Sequence, residues 1–156
     1  MKYKTYDQDF VRSIRAGGPD ANGMPAERAV SDGEGKPCRC CLKNIPEGDA
    51  MLILAARPFE ALHPYAESGP VFLCEADCTP WNDDGLPPIL TTSPDYLVKA
   101  YGADDRIIYG TGAITAQGNI DGYANTLFAR DDVAYIDVRS ARNNCFLTRT
   151  IRDAAP

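Results

Sequence analysis

Apolar residues fall at helical spacing in two segments of this chain and in strand-like runs in six others. In residues 7–15, Phe10, Val11 and Ile14 share one face, Asp7 stands where a cap is needed and Gly17-Gly18 follows the last turn. That predicts a short amphipathic helix. Residues 119–130 carry the clearer pattern: Ile120, Tyr123, Ala124, Leu127 and Phe128 recur at i, i+3, i+4, i+7 and i+8. Asn119 is the expected cap and Arg130 the last-turn cation, while Gly122 weakens the pattern.

Met51–Ala55 is an apolar run of strand length ended by Arg57-Pro58, and Val71-Phe72-Leu73 is a second that leads into Cys74. Tyr96–Tyr101 and Arg106–Ile114, joined by Gly102–Asp105, read as a hairpin. Val133–Arg139 alternates, with Ala134, Ile136 and Val138 on one face, and Cys145–Ile151 alternates after a Ser140–Asn144 turn. Gly110-Thr111-Gly112 interrupts a strand pattern and marks a bulge better than a phosphate cradle. Residues 17–37, rich in Gly, Pro, Asp, Asn and Ser, read as an irregular N-terminal arm.

The predicted fold is therefore α+β: a mostly antiparallel sheet, one short N-terminal helix, one longer helix, and irregular cysteine-containing loops. The connections are too short for parallel crossovers. The length of 156 residues predicts a single domain over 1–156.

A net charge of −6, from 16 basic and 22 acidic residues, disfavours general binding to nucleic acid. Arg139, Arg142, Arg149 and Arg152 cluster near the C-terminus, but alternation splits them. Asp131, Asp132, Asp137 and Asp153 are expected to balance them on a solvated face. No apolar run approaches the ~20 residues of a membrane span. Met1–Asp7 lacks the apolar region of a signal peptide, so the expected compartment is the cytoplasm, with reduced thiols.

In that setting the six cysteines stand out. Cys38 and Cys41 form a C-x2-C pair, and Cys74 and Cys78 a C-x3-C pair. Together they make a candidate tetrahedral zinc site, closed and hence structural. Plain reduced thiols and, less so, disulfides are the alternatives, and no other cofactor is implied. Arg39 and Lys43 are the expected counter-charges, and Cys40 is a substitute ligand if the knuckle turns differently. A redox reading of C-x2-C is the weaker alternative, because Leu42–Gly48 contains Pro46 and Gly48 and makes a poor helix. Cys145 as a nucleophile would need a base, and the sole histidine, His63, lies in a Pro-rich loop.

A second constellation is polar. Arg57, Tyr65, Glu67, Arg139, Ser140, Asn143 and Asn144 fall at strand ends or in loops, where binding groups concentrate. Arg57 and Arg139 suit a carboxylate or phosphate, with the asparagines adding neutral bonds. The plainer alternative pairs Arg57 with Glu67 and leaves the asparagines to shape a turn.

Several runs also resemble a known family. They are Arg15–Gly23, Cys38-Arg39-x-Cys41-Leu42, Arg57-Pro58-Phe59, Pro64–Glu67 with Gly69-Pro70, Asp105–Ile107 and Val138–Phe146. Together, over roughly residues 7 to 152, the chain resembles the bacterial domain-of-unknown-function family 1203. The resemblance brings no established activity. It implies histidine where this chain has Cys40 and Cys74. At a ligand position such a swap preserves zinc binding, whereas at a catalytic base it removes activity.

Two functions follow as expectations. The first is a small cytoplasmic binding or interaction domain pinned by structural zinc, taking a small anionic ligand or a protein partner. The second is an enzyme acting on a small anion at the Arg57, Glu67, Arg139 and Asn143/Asn144 cluster. With a catalytic metal, Glu67 or Glu75 would stand near an open coordination position. Oligomeric state and substrate are not encoded in any motif.

Overall fold

The computed structural model describes residues 1–153. In chain order its elements are β1 (Lys2–Lys4), α1 (Gln8–Arg15), β2 (Glu27–Val30), β3 (Ala50–Ala56) and β4 (Gly69–Cys74). There follow β5 (Asp95–Tyr101), β6 (Ala113–Ala116), α2 (Ile120–Phe128), β7 (Tyr135–Ser140) and β8 (Phe146–Ile151). Short 3-10 turns cover Pro88–Leu90 and Gln117–Asn119. The strand pairings are antiparallel throughout and form two sheets, so the fold is α+β. The chain divides into two compact units, one spanning Thr5–Trp81 and one combining Met1–Lys4 with the segment from Asn82 onward.

In the Thr5–Trp81 unit the sheet order is β2-β3-β4. Helix α1 begins where Asp7 accepts hydrogen bonds from the Asp9 and Phe10 N–H groups, as the sequence predicts. It ends in a Schellman motif: Gly17 N–H bonds the Ile14 carbonyl and Gly18 N–H the Ser13 carbonyl, with Gly17 at φ +89°. Val11 and Ile14 bury the helix face against Met51, Leu54, Val71, Leu73, Cys38 and Cys40. Residues 17–37, expected to be wholly irregular, contain β2, which pairs with β3 from Glu27↔Ile53 to Val30↔Ala50. Its Glu27, Arg28 and Val30 are exposed at the sheet edge, so no hydrophobic period announces the strand.

The second unit has strand order β1-β8-β7-β5-β6, with α2 lying against β5 and β6. Val98, Val138 and Thr148, and Ala100, Ile136 and Thr150, occupy shared register positions on one buried face. Tyr3 joins that face, and its hydroxyl donates to Asp121 of α2 at 2.5 Å. The opposite face carries Lys99, Asp137 and Arg149 side by side. Asp137 was expected on a solvated face; it is wholly buried and paired with Arg149.

Two further expectations are corrected. The strand read as Arg106–Ile114 shrinks to Ala113–Ala116, because after Asp105 (φ 60°) the backbone meets β5 in an isolated Tyr101↔Ile107 bridge and takes up regular pairing from Ala113. Gly110 lies at φ 86°, and Thr111 Oγ1 accepts the Ala100 N–H, a bond that takes the place of a regular ladder rung. Asn119 stands at the N-cap of α2 as expected, though it also ends the preceding 3-10 turn and its side chain makes no cap bond. Arg130 lies past the helix end and pairs with Asp132, while Arg152 donates to the Phe128 and Arg130 carbonyls.

Candidate metal centre

The first cysteine pair sits in a tight knuckle. Pro37 and Asn44 face each other across an antiparallel bridge, Cys38 N–H bonds the Lys43 carbonyl at 2.9 Å, and Leu42 N–H bonds the Cys38 carbonyl at 3.0 Å. Closing so short a loop forces Leu42 into the left-handed region, φ 52°, which costs a non-glycine residue about 1–2 kcal/mol. Its fully buried side chain offsets that cost. The knuckle is held against β4 by the Arg39 N–H bond to the Phe72 carbonyl, 3.1 Å long. Cys74 ends β4 and Cys78 follows after a three-residue loop, so both pairs converge on one strand end.

The Sγ atoms of Cys38, Cys41, Cys74 and Cys78 all lie within 4.8 Å of one another, with Cys38 and Cys78 3.9 Å apart. Four sulfurs about 2.3 Å from one tetrahedral ion stand about 3.8 Å apart, so the arrangement is compatible with a metal ion. Cys38 Sγ also accepts the N–H groups of Cys40 at 3.4 Å and Cys74 at 3.3 Å.

Charge makes the same point. Hydrogen bonds from Cys41 and Cys74 hold Cys38 far below the ordinary thiol pKa, against the effect of burial. Their cost appears at the donors. Hydrogen bonding to Cys38 pushes Cys41 up to about 12 and Cys74 well beyond the usual thiol range. A divalent cation would take the place of those shared protons and let all four sulfurs bind as thiolates.

A cation in hydrogen-bond contact with a sulfur comes from outside the knuckle. Arg39 donates to the Pro37 carbonyl and lies 5.8 Å from the Phe72 ring centre, and Lys43 is exposed. Arg15, in the last turn of α1, donates from Nη2 to Cys78 Sγ and from Nε to the Cys74 carbonyl, each at 3.1 Å. The sequence placed Arg15 on a helix end but contained no signal tying that helix to the cysteines. Cys40 stands outside the four-sulfur group. It is buried, its Sγ within 3.5 Å of Gln8 Oε1 and 3.8 Å of the Cys78 carbonyl, and burial pushes its thiol up to about 11.

The polar constellation is divided between the two units. In Thr5–Trp81, Arg57 Nε donates to the Phe59 carbonyl, and Tyr65 and Glu67 lie in a loop where Tyr65 N–H bonds His63 Nδ1 and Glu67 N–H bonds the Tyr65 carbonyl. In the other unit, Arg139, Ser140, Asn143 and Asn144 build the β7–β8 turn. Asn143 N–H bonds Ser140 Oγ, Arg139 donates to the Asn144 carbonyl, and Asn144 lies at φ 58°. Cys145 Sγ contacts the Asn143 carbonyl in that turn. Glu75 pairs with Arg28 at 2.9 Å. The Thr5–Trp81 unit also has an open cleft of about 590 Å³ between the Asp20–Glu27 loop, Ile53–Ala55 of β3 and Ser68–Pro70. Among the described residues no helix is long and apolar enough to cross a membrane.

A family model described as "Protein of unknown function (DUF1203)" matches residues 35–152, most of the chain, and the chain belongs to that family. The matched segment contains all four clustered cysteines and begins after α1. Neither the curated proteins nor the solved structures contain a significant match.

Proposed function

We propose that this DUF1203 protein is a small binding domain whose Thr5–Trp81 unit is held in shape by a structural zinc ion on Cys38, Cys41, Cys74 and Cys78. The observation that carries the proposal is the convergence of four Sγ atoms within 4.8 Å from two separate segments. Four soft thiolates in tetrahedral reach favour zinc or iron over magnesium or calcium. A fully protein-ligated centre leaves no coordination position for substrate, so its work is structural. The segment from Pro37 to Gly48 has no helix or regular strand, and the ion cross-links it to the end of β4. Thiolate ligands require a reducing compartment, which favours the cytoplasm.

Elemental analysis of freshly purified protein tests the proposal. One zinc per chain, and a large fall in melting temperature on chelation, are the expected results. A chain that purifies without metal and melts at the same temperature with and without chelator would end it. Stoichiometric iron with visible thiolate absorption would replace it with an electron-transfer centre.

A further inference from the structure

The two halves of the cysteine centre are built differently. The first is organised by its own backbone: the knuckle closes through Cys38, Leu42 and Lys43, and Cys38 Sγ receives the Cys40 N–H. The second half, a three-residue loop leaving a strand end, is gripped by a side chain from a distant element. The fork of Arg15 reaches the Cys78 sulfur and the Cys74 carbonyl, both at 3.1 Å, and Nη1 stands 3.7 Å from the Asp77 carboxylate. The Arg15 side chain is only 11% exposed, so the contact is sheltered from water and salt.

We infer that Arg15 is the positioning residue of this centre, binding the Cys78 thiolate and setting the 74–78 loop so that metal occupancy is coupled to the docking of α1. The inference rests on the zinc reading above. Four thiolates around a divalent cation carry a net charge of −2, and a partly buried dianion needs a nearby cation. Arg15 supplies one positive charge at the sulfur. Its planar fork also holds two groups of the same loop in a fixed geometry, which a rotatable lysine ammonium does not impose. Ordering the ligands through an outer partner is a general property of metal sites, and loss of such a partner lowers affinity by about 10- to 100-fold. Because Arg15 is in the last turn of α1, the same two bonds fasten the helix to the loaded centre.

The test compares wild type with Arg15→Gln, Arg15→Lys and Val11→Ala, the last a control that loosens the same helix without removing a hydrogen bond to the centre. Zinc affinity is read by competition with a chromophoric chelator. Alkylation of the zinc-loaded chains is mapped by mass spectrometry. Arg15→Gln is expected to lose about 10-fold or more in affinity and to make Cys78 the fastest-alkylated ligand. Arg15→Lys is expected to recover part of the affinity through charge alone, and it serves as the readable variant if Arg15→Gln does not fold. Val11→Ala is expected to lower the melting temperature without singling out Cys78. Affinity unchanged in both Arg15 variants, or alkylation rising equally at all four cysteines, overturns the inference while leaving the zinc reading intact. A wild-type chain without zinc defeats both.

Discussion

Arg149 grips Asp137 through two hydrogen bonds, Nε to Oδ1 at 2.7 Å and Nη2 to Oδ2 at 3.1 Å, across the β7–β8 register. The carboxylate is fully buried, and the Arg149 guanidinium also lies 3.7 Å from the centre of the Tyr135 ring, itself stacked on Tyr101. Burial raises the Asp137 pKa, and the pull of Arg149, Arg139 and Lys99 opposes it. Removing one member of such a pair strands the other. Asp137→Ala is expected to cost about 3–5 kcal/mol in urea unfolding, because it leaves three neighbouring cations without their shared carboxylate. The double variant Asp137→Leu/Arg149→Met should recover part of that loss. If Asp137→Ala unfolds at the wild-type midpoint, the pair does not stabilise the sheet.

Cys40 separates ligand from neighbour. It lies between Cys38 and Cys41 in sequence, yet its sulfur turns to Gln8 and the Cys78 carbonyl. Cys40→Ala should therefore keep one zinc per chain and lose about 1 kcal/mol of packing. Ser replacement of Cys38, Cys41, Cys74 or Cys78 should abolish stoichiometric zinc. Metal analysis beside thermal melts checks both, and loss of zinc from Cys40→Ala would redraw the ligand set.

What the sequence disclosed follows from where its signals are local. Asp7, the Phe10/Val11/Ile14 face and the Gly17-Gly18 stop define α1 within one short window, and the structure has the helix at Gln8–Arg15 with that cap and that stop. The cysteine grouping was legible because C-x2-C and C-x3-C spacing limits how far apart the sulfurs can fall. β2 was illegible because an exposed edge strand has no hydrophobic alternation to display. Asp137 was misplaced for the converse reason: β7 is buried on both faces, so an aspartate inside its run reads as a surface residue. Arg15 and Cys78 lie 63 residues apart, and only the packing of α1 beside β4 joins them.

The end of α1 leaves little room for side chains. An added Cβ on Gly18 would come within 2.8 Å of the Ser13 carbonyl oxygen and 2.3 Å of its Oγ, while Gly17 has open space but a φ of +89°. Gly17→Ala should thus cost about 1 kcal/mol, through backbone strain alone. Gly18→Ala should cost more, since the backbone of the last turn must shift. Chemical denaturation of the two variants orders them, and equal losses would contradict the contact geometry.

Asp20 staples the loop after α1 to β3 and gives the chain a predictable acid response. Its Oδ1 accepts the Asn22 and Met24 N–H groups at 2.9 and 3.0 Å, and its Oδ2 accepts the Ala55 N–H at 2.9 Å. Burial would raise its pKa, but the three donors together outweigh that and hold it below the ordinary carboxylate range. A carboxyl depressed on folding stabilises the native state above its unfolded pKa, and that contribution fades as pH falls through the lower, folded value. At pH 7, Asp20→Ala should lose about 1–3 kcal/mol, the usual scale for charge-assisted hydrogen bonds. The gap between variant and wild type should narrow steadily in acid below the ordinary aspartate pKa. Acid would also protonate the thiolates of a zinc centre, but it would do so in both chains, so the difference between their melting temperatures isolates Asp20. A gap that stays constant from neutral pH to strong acid would show that the carboxylate's charge contributes nothing to the staple.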